Sequence, residues 1–324
     1  MMSRPKVFVT RRWPEAVENR LAAFCDATFN PEDIPLGEKA IAEAMAQYDA
    51  VLPTVTDKVG PGVFSSGEVR AKIIGNYGVG FSHIDTDAAK ANGIVVTNTP
   101  DVLSECTADI ALTLMLMLAR RAGEGERELR AGDWSGWRPT HMIGQKISGK
   151  TLGIIGFGRI GRETARRARF GFGMNVVVQN RSPVSEDVLN EFGARQVDSV
   201  EALLEQSDFV SLHCPGGDAN RHLINADRLS AMKPTAYLIN TARGEVVDEL
   251  ALAEALHEGR IAGAGLDVFD GEPAINPALL DAPNTVLLPH LGSATMETRE
   301  AMGMRVIDNL QAFFDGAEPP DRVA

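Results

Sequence analysis

Short runs of apolar, largely β-branched residues alternate with amphipathic stretches along most of the chain. One series comprises Lys6 to Thr10, Ala50 to Pro53, Lys72 to Asn76 and Ile94 to Thr97, separated by helical patterns such as Trp13 to Ala23, where Pro14 suits a first helical turn. A second comprises Thr151 to Gly156, Val176 to Gln179, Phe209 to His213, Tyr237 to Asn240, Gly265 to Val268 and Val286 to Leu288. Parallel strands need a crossover and a helix supplies one, so the alternation predicts two α/β domains, each a helix-covered parallel sheet. A helix from about Pro100 to Arg121 carries the chain between them, and a helix over Thr295 to Phe314 returns to the first. The expected division is residues 1–100 with 292–324 as one domain and 101–291 as the other, with a ligand cleft between.

The second series opens on Thr151-Leu-Gly-Ile-Ile-Gly156-Phe-Gly158-Arg159-Ile160-Gly161, read as strand, glycine turn and helix start. In a G-x-G-x-x-G of this setting, Gly156 permits the sharp turn and Gly158 lets the backbone approach a pyrophosphate. Gly161 lets the helix pack on the strand, so phosphates meet unpaired helix N–H groups. An acid at the end of the next strand would bind the ribose hydroxyls of NAD. Asn180-Arg181-Ser182 stands there instead. An amide, a guanidinium and a hydroxyl suit a 2′-phosphate, which predicts NADP over NAD, with NAD still open.

The chain has 324 residues, 44% hydrophobic and 23% charged, enough for two cores. A net charge of −12 and a pI near 5.0 argue against nucleic-acid or membrane partners. Cys25, Cys106 and Cys214 are far apart, with neither a disulfide framework nor a metal site in view, and all three are expected to be buried. The short lead before the first strand is no signal peptide, so the expectation is a cytoplasmic protein. Ile110 to Ala119 is too short to span a bilayer, yet apolar on nearly every face. A partner subunit would cover such a helix, and a homodimer is expected.

His290 follows an apolar strand in Leu287-Leu-Pro-His-Leu-Gly-Ser293-Ala-Thr295, Arg243 follows another, and Glu272 follows a third. Open α/β sheets place ligand-facing groups at such ends. Taken singly, Arg243 and Glu272 suit a surface salt bridge; their shared placement with His290 favours a common site. His83, His141, His213, His222 and His257 lack comparable context, and His257 reads as a capping or surface residue near Gly259.

The glycine fingerprint, Asn240-Thr-Ala-Arg-Gly-Glu-Val-Val-Asp248, Gly265-Leu-Asp-Val, Glu272-Pro273 and Pro289-His-Leu-Gly-Ser-Ala-Thr295 occur in the order of the D-isomer-specific 2-hydroxyacid dehydrogenases. The chain resembles that family over nearly its whole length. Within it, Asn76 to Gly80, Trp134 to Pro139 and the basic second-strand end look most like glyoxylate/hydroxypyruvate reductases.

The resemblance implies a Rossmann cofactor domain plus a flavodoxin-like substrate domain, and reduction of a small 2-oxo acid. His290 would be the general acid, imidazole being able to hold or release a proton near neutrality. Glu272 would hold the second ring nitrogen, and Arg243 would grip the substrate carboxylate. The N–H groups of Val79 and Gly80 would complete the carboxylate site, with Ser293 as a polar contact. Asp267 would meet the nicotinamide carboxamide, while Thr241, Cys214 and Pro215 line the cofactor. Trp137 would reach the partner subunit's active site, or else be a core or interface aromatic. Ser82, where the family usually has Asp or Asn, departs from the pattern. Two other readings compete: an NAD-dependent phosphoglycerate-type or other D-2-hydroxyacid dehydrogenase, and a non-catalytic, dinucleotide-sensing scaffold like the corepressors that share this fold.

Overall fold

The structure is a computed structural model that describes residues 4–65, 67 and 69–324. The chain forms two compact units, one running to Leu103 and including Ser293–Ala324, the other Ser104–Gly292. The first holds strands β1 (Lys6–Val9), β2 (Asp26–Phe29), β3 (Ala50–Leu52), β4 (Ile73–Gly75) and β5 (Val95–Thr97). Its helices are α1 (Glu15–Phe24), α2 (Glu38–Gln47), α3 (Pro61–Ser65) and α4 (Thr86–Ala91). The second unit begins with α5 (Ser104–Ala119) and α6 (Ala122–Ala131). Its strands are β6 (Thr151–Ile155), β7 (Asn175–Gln179), β8 (Ala194–Gln196), β9 (Phe209–Leu212), β10 (Tyr237–Asn240), β11 (Gly263–Leu266) and β12 (Thr285–Leu287). Between them lie α7 (Arg159–Arg166), α8 (Glu186–Glu191), α9 (Val200–Gln206), α10 (Ala226–Ala231), α11 (Glu249–His257) and α12 (Pro277–Asp281); α13 (Met296–Phe314) belongs to the first unit.

Both sheets are parallel and doubly wound. Order β2-β1-β3-β4-β5 in the first unit is the flavodoxin-like order, and β12-β11-β10-β9-β6-β7-β8 in the second is the Rossmann order with one further strand. The chain leaves β6 to one side through β7 and returns to its other side as β9, so the switch point lies between β6 and β9.

Sheets covered on both faces need strands apolar at consecutive positions, and these have them. Ile155, Val177 and Leu238 point into a core with Leu203, Leu229 and Leu252, whereas Ile154, Val178 and Ile239 point into another with Leu114, Met115 and Ala165. In the first unit, Val51, Ile74 and Val96 pack on Ile41, Met45 and Phe64. A side chain on Gly75 would come within 2.9 Å of Val306 and one on Gly303 within 2.3 Å of Val17, so α13 lies close against β4 and α1. Thr295 caps α13 by accepting from the Thr298 N–H.

Four expectations change. Strands β2 and β8 were not legible, because each is an edge strand whose polar, half-exposed residues make no apolar run. The predicted strand Gly265 to Val268 is instead Gly263–Leu266, two residues earlier, since two glycines hide its start. Cys106 is only half-buried, while Cys25 and Cys214 are buried. Helix α5 buries most of its length, from Ser104 to Ala119, within its own chain, so it does not itself call for a partner. Among the described residues, no helix is long and apolar enough to cross a membrane.

Candidate active site

The glycine turn sits at the switch point. Gly156 has φ +94°, and a Cβ there would stand 2.6 Å from the Cys214 nitrogen, so the turn is wedged against the end of β9. A Cβ on Gly161 would lie 2.3 Å from the Gly156 carbonyl oxygen, which only glycine allows. Among the described residues, nothing stands within 4 Å of a Cβ at Gly158, and no side chain caps α7, whose first residues are Arg159, Ile160 and Gly161. Tight behind and open in front, the turn fits a dinucleotide pyrophosphate, and Thr241 at the end of β10 adds a buried Oγ1 that has no partner among the described residues.

Asn180 clips the turn to the end of β7. Its Oδ1 accepts from the Phe157 N–H at 3.1 Å and its Nδ2 donates to the Ser182 carbonyl at 2.9 Å. Both ends of the amide are therefore engaged, and the side chains left to face solvent are those of Arg181 and Ser182. Gln196 on β8 steadies the same bend, its Oε1 accepting from the Val184 N–H at 2.8 Å.

Three strand ends converge in the same unit. His290, after β12, has Nδ1 2.7 Å from Glu272 Oε2, while Glu272 Oε1 accepts from the Phe269 N–H at 2.9 Å. Burial acts most strongly on the Glu272 carboxyl and pushes its pKa up. The His290 hydrogen bond and charge, the Phe269 N–H and the Arg243 charge together outweigh it and hold the pKa below the ordinary value. An ionised carboxylate only accepts, so Nδ1 carries the hydrogen and Nε2 is the nitrogen not engaged by Glu272.

His290 has φ +54°, a left-handed conformation unfavourable for a side chain. Asp267, after β11, holds the strained segment: its two oxygens accept from the Leu291 and Gly292 N–H groups at 2.6 and 2.8 Å. Burial raises the Asp267 pKa, against the pull of those N–H groups and of His290. Arg243, after β10, donates from Nη1 to the Ala242 carbonyl at 2.7 Å. Burial lowers its pKa and the Glu245 and Glu272 charges oppose that, but a guanidinium stays charged. Glu245 also accepts from the Gly217 N–H at 2.9 Å, tying down the loop that carries Cys214 and Pro215.

Val79, Gly80 and Ser293 lie in the other unit, Val79 and Gly80 just after β4. Trp137 is 83% exposed, which removes the core reading; Leu129 on α6 and Trp134 and Ile143 in the segment after it are exposed as well. One residue was passed over. His213 directly follows β9, and burial lowers its pKa to about 3; Nε2 pairs with Ser211 Oγ at 2.8 Å and Nδ1 is buried without a partner among the described residues. The strand-end criterion applied to His290 would have found it.

Residues 112–292 match the family model for the D-isomer specific 2-hydroxyacid dehydrogenase, NAD binding domain. With the Rossmann sheet and the His–Glu pair at its strand ends, the match shows that the chain belongs to the D-isomer specific 2-hydroxyacid dehydrogenase family. It is 45% identical to the glyoxylate reductase of Thermococcus litoralis, covering 99% of this chain and 97% of that one. It is 39% identical to the glycerate dehydrogenase of Hyphomicrobium methylovorum, covering 98% of each. Among solved structures it is similar to an NADPH-dependent glyoxylate/hydroxypyruvate reductase from Sinorhizobium meliloti in complex with NADP and malonate. That likeness has a TM-score of 0.88 at 36% identity, over 99% of this chain and 97% of the other.

Proposed function

We propose that the protein reduces a small 2-oxo acid, glyoxylate or hydroxypyruvate, to the D-2-hydroxy acid with NADPH. The observation that carries this is the His290–Glu272 pair at 2.7 Å, with Arg243 at a nearby strand end. When bound, the reduced nicotinamide supplies a hydride. Gly156, Gly158 and Gly161 would hold its pyrophosphate, Arg181 and Ser182 its 2′-phosphate, and Thr241, Cys214, Pro215 and Asp267 its other half. Arg243 grips the substrate carboxylate and draws electron density from the carbonyl. His290 gives its Nε2 proton to the carbonyl oxygen, and Glu272 stabilises the charged imidazole until that transfer. In the other unit, the Val79 and Gly80 N–H groups and Ser293 are proposed as substrate contacts.

Arg181 supports NADPH over NADH: it is exposed, with no hydrogen bond or ion pair among the described residues, in the place of the expected acid. The exposed apolar side chains of Leu129, Trp134, Trp137 and Ile143 support a homodimer, and three free cysteines suit the cytoplasm. The unit of Ser104–Gly292 is assigned to the dinucleotide and the other to the substrate. A panel of 2-oxo acids assayed with NADPH and NADH tests the reading. Turnover of glyoxylate or hydroxypyruvate, faster with NADPH, is expected, and no turnover of any 2-oxo acid overturns it. Light scattering at micromolar concentration should show a dimer.

A further inference from the structure

We infer that Asn76 and Asn98 are positioning residues that turn the Val79 and Gly80 N–H groups outward as a carboxylate cradle. The inference rests on the substrate reading above. In a trans peptide the N–H of one residue points opposite to the carbonyl of the residue before it, so fixing a carbonyl aims the next N–H. Asn76 Nδ2 donates to the Gly78 carbonyl at 2.9 Å and to the Gly80 carbonyl at 3.1 Å. The Thr99 N–H also reaches the Gly78 oxygen, at 3.1 Å. Asn98 Nδ2 donates to the Val79 carbonyl at 2.8 Å. Three successive carbonyls are thus held by two asparagines. The Gly78 and Val79 carbonyls aim the Val79 and Gly80 N–H groups, which have no hydrogen-bond partner among the described residues, and both residues are half-buried.

Neither asparagine is free to drift. Asn76 is fully buried beside β5, its N–H bonded to the Thr97 carbonyl at 2.9 Å. Asn98 donates its N–H to the Asp321 carbonyl at 3.2 Å, and Asp321 is pinned by both Arg305 (2.6 and 2.8 Å) and Asn309 (2.9 Å). A carboxylate accepts from two adjacent N–H groups of this kind, and the preset geometry spares it the cost of ordering the loop. The asparagines touch no reacting atom; they act through the backbone.

Asn98→Ala and Asn98→Asp remove the donor to Val79, the second with almost no change of shape, and Asn76→Ala removes the other two bonds. With the full chain, the KM for glyoxylate and the Ki of oxalate should rise about tenfold, as expected for loosening one charge-assisted contact. The fall in kcat should be smaller than the rise in KM, and the KM for NADPH should stay within about twofold. In the wild type, adding oxalate should shift the Val79 and Gly80 amide resonances, and the Asn98 variants should lose that shift. If Asn76→Ala does not fold, the near-isosteric Asn98→Asp still carries the test. An unchanged oxalate Ki, or a loss that tracks the NADPH KM and melting temperature equally, overturns the inference. If the wild type turns over no 2-oxo acid, the functional reading falls, and the amide shifts decide the cradle alone.

Discussion

His290 Nδ1 lies 2.7 Å from Glu272 Oε2, and the other oxygen of that carboxylate is fixed by the Phe269 N–H at 2.9 Å. The acid is therefore anchored by backbone before it orients the ring. His290→Ala should lower kcat by about 10²- to 10⁴-fold while NADPH binding, followed by fluorescence, barely changes. Glu272→Gln can present an amide donor to Nδ1 and so favour the wrong tautomer, and should lower kcat at least about tenfold with a smaller effect on KM. Wild-type turnover in His290→Ala would remove it as the acid.

Arg243 is held by the Ala242 carbonyl and flanked by the charges of Glu245 and Glu272. A lysine keeps the charge but not the planar fork. Arg243→Lys should raise KM for the 2-oxo acid and lower kcat together, each by about tenfold or more. Steady-state kinetics at saturating NADPH would show this, and unchanged constants would exclude the assigned grip.

Gly158 and Gly161 separate nucleotide binding from folding. A Cβ at Gly158 meets nothing, whereas one at Gly161 lies 2.3 Å from the Gly156 carbonyl. Gly161→Ala should cost about 1–3 kcal/mol in urea unfolding. Gly158→Ala should stay within about 0.5 kcal/mol of wild type, yet weaken NADPH binding at least about tenfold. Equal effects of the two on stability would show that the open space is not the pyrophosphate site.

Arg181 is exposed at the end of β7. Arg181→Ala should lower kcat/KM with NADPH about tenfold or more and leave NADH within about twofold, because only NADPH carries the 2′-phosphate. A parallel loss with both nucleotides would assign Arg181 another role.

His213 has its pKa lowered by burial from 6.5 to about 3. Between those values the unfolded chain binds the proton and the folded chain does not, so stability is present above the unfolded pKa and is lost as pH falls below it. Urea midpoints should fall more steeply below pH 6.5 for wild type than for His213→Asn, by up to about 1.4 kcal/mol per pH unit. Matching slopes would mean that the ring takes up its proton without leaving its place.

Much was already legible in residue order. The glycine turn, the two series of apolar strands and the ends carrying Arg243, Glu272 and His290 are local patterns, set by backbone sterics and by strands buried on both faces. Edge strands β2 and β8 escaped because one side of each has no neighbour to demand apolar residues. Only the tertiary structure decided which side chains meet. Asp267 stands 24 residues from the Leu291 N–H it accepts, and Glu272 18 residues from His290, distances that loops close and that no periodicity encodes. It likewise showed that Asn180 is occupied by the Phe157 N–H and the Ser182 carbonyl, while the neighbouring Arg181 side chain is exposed. Hydrophobic pattern is read one residue at a time, whereas a hydrogen bond needs two partners and the fold that brings them together.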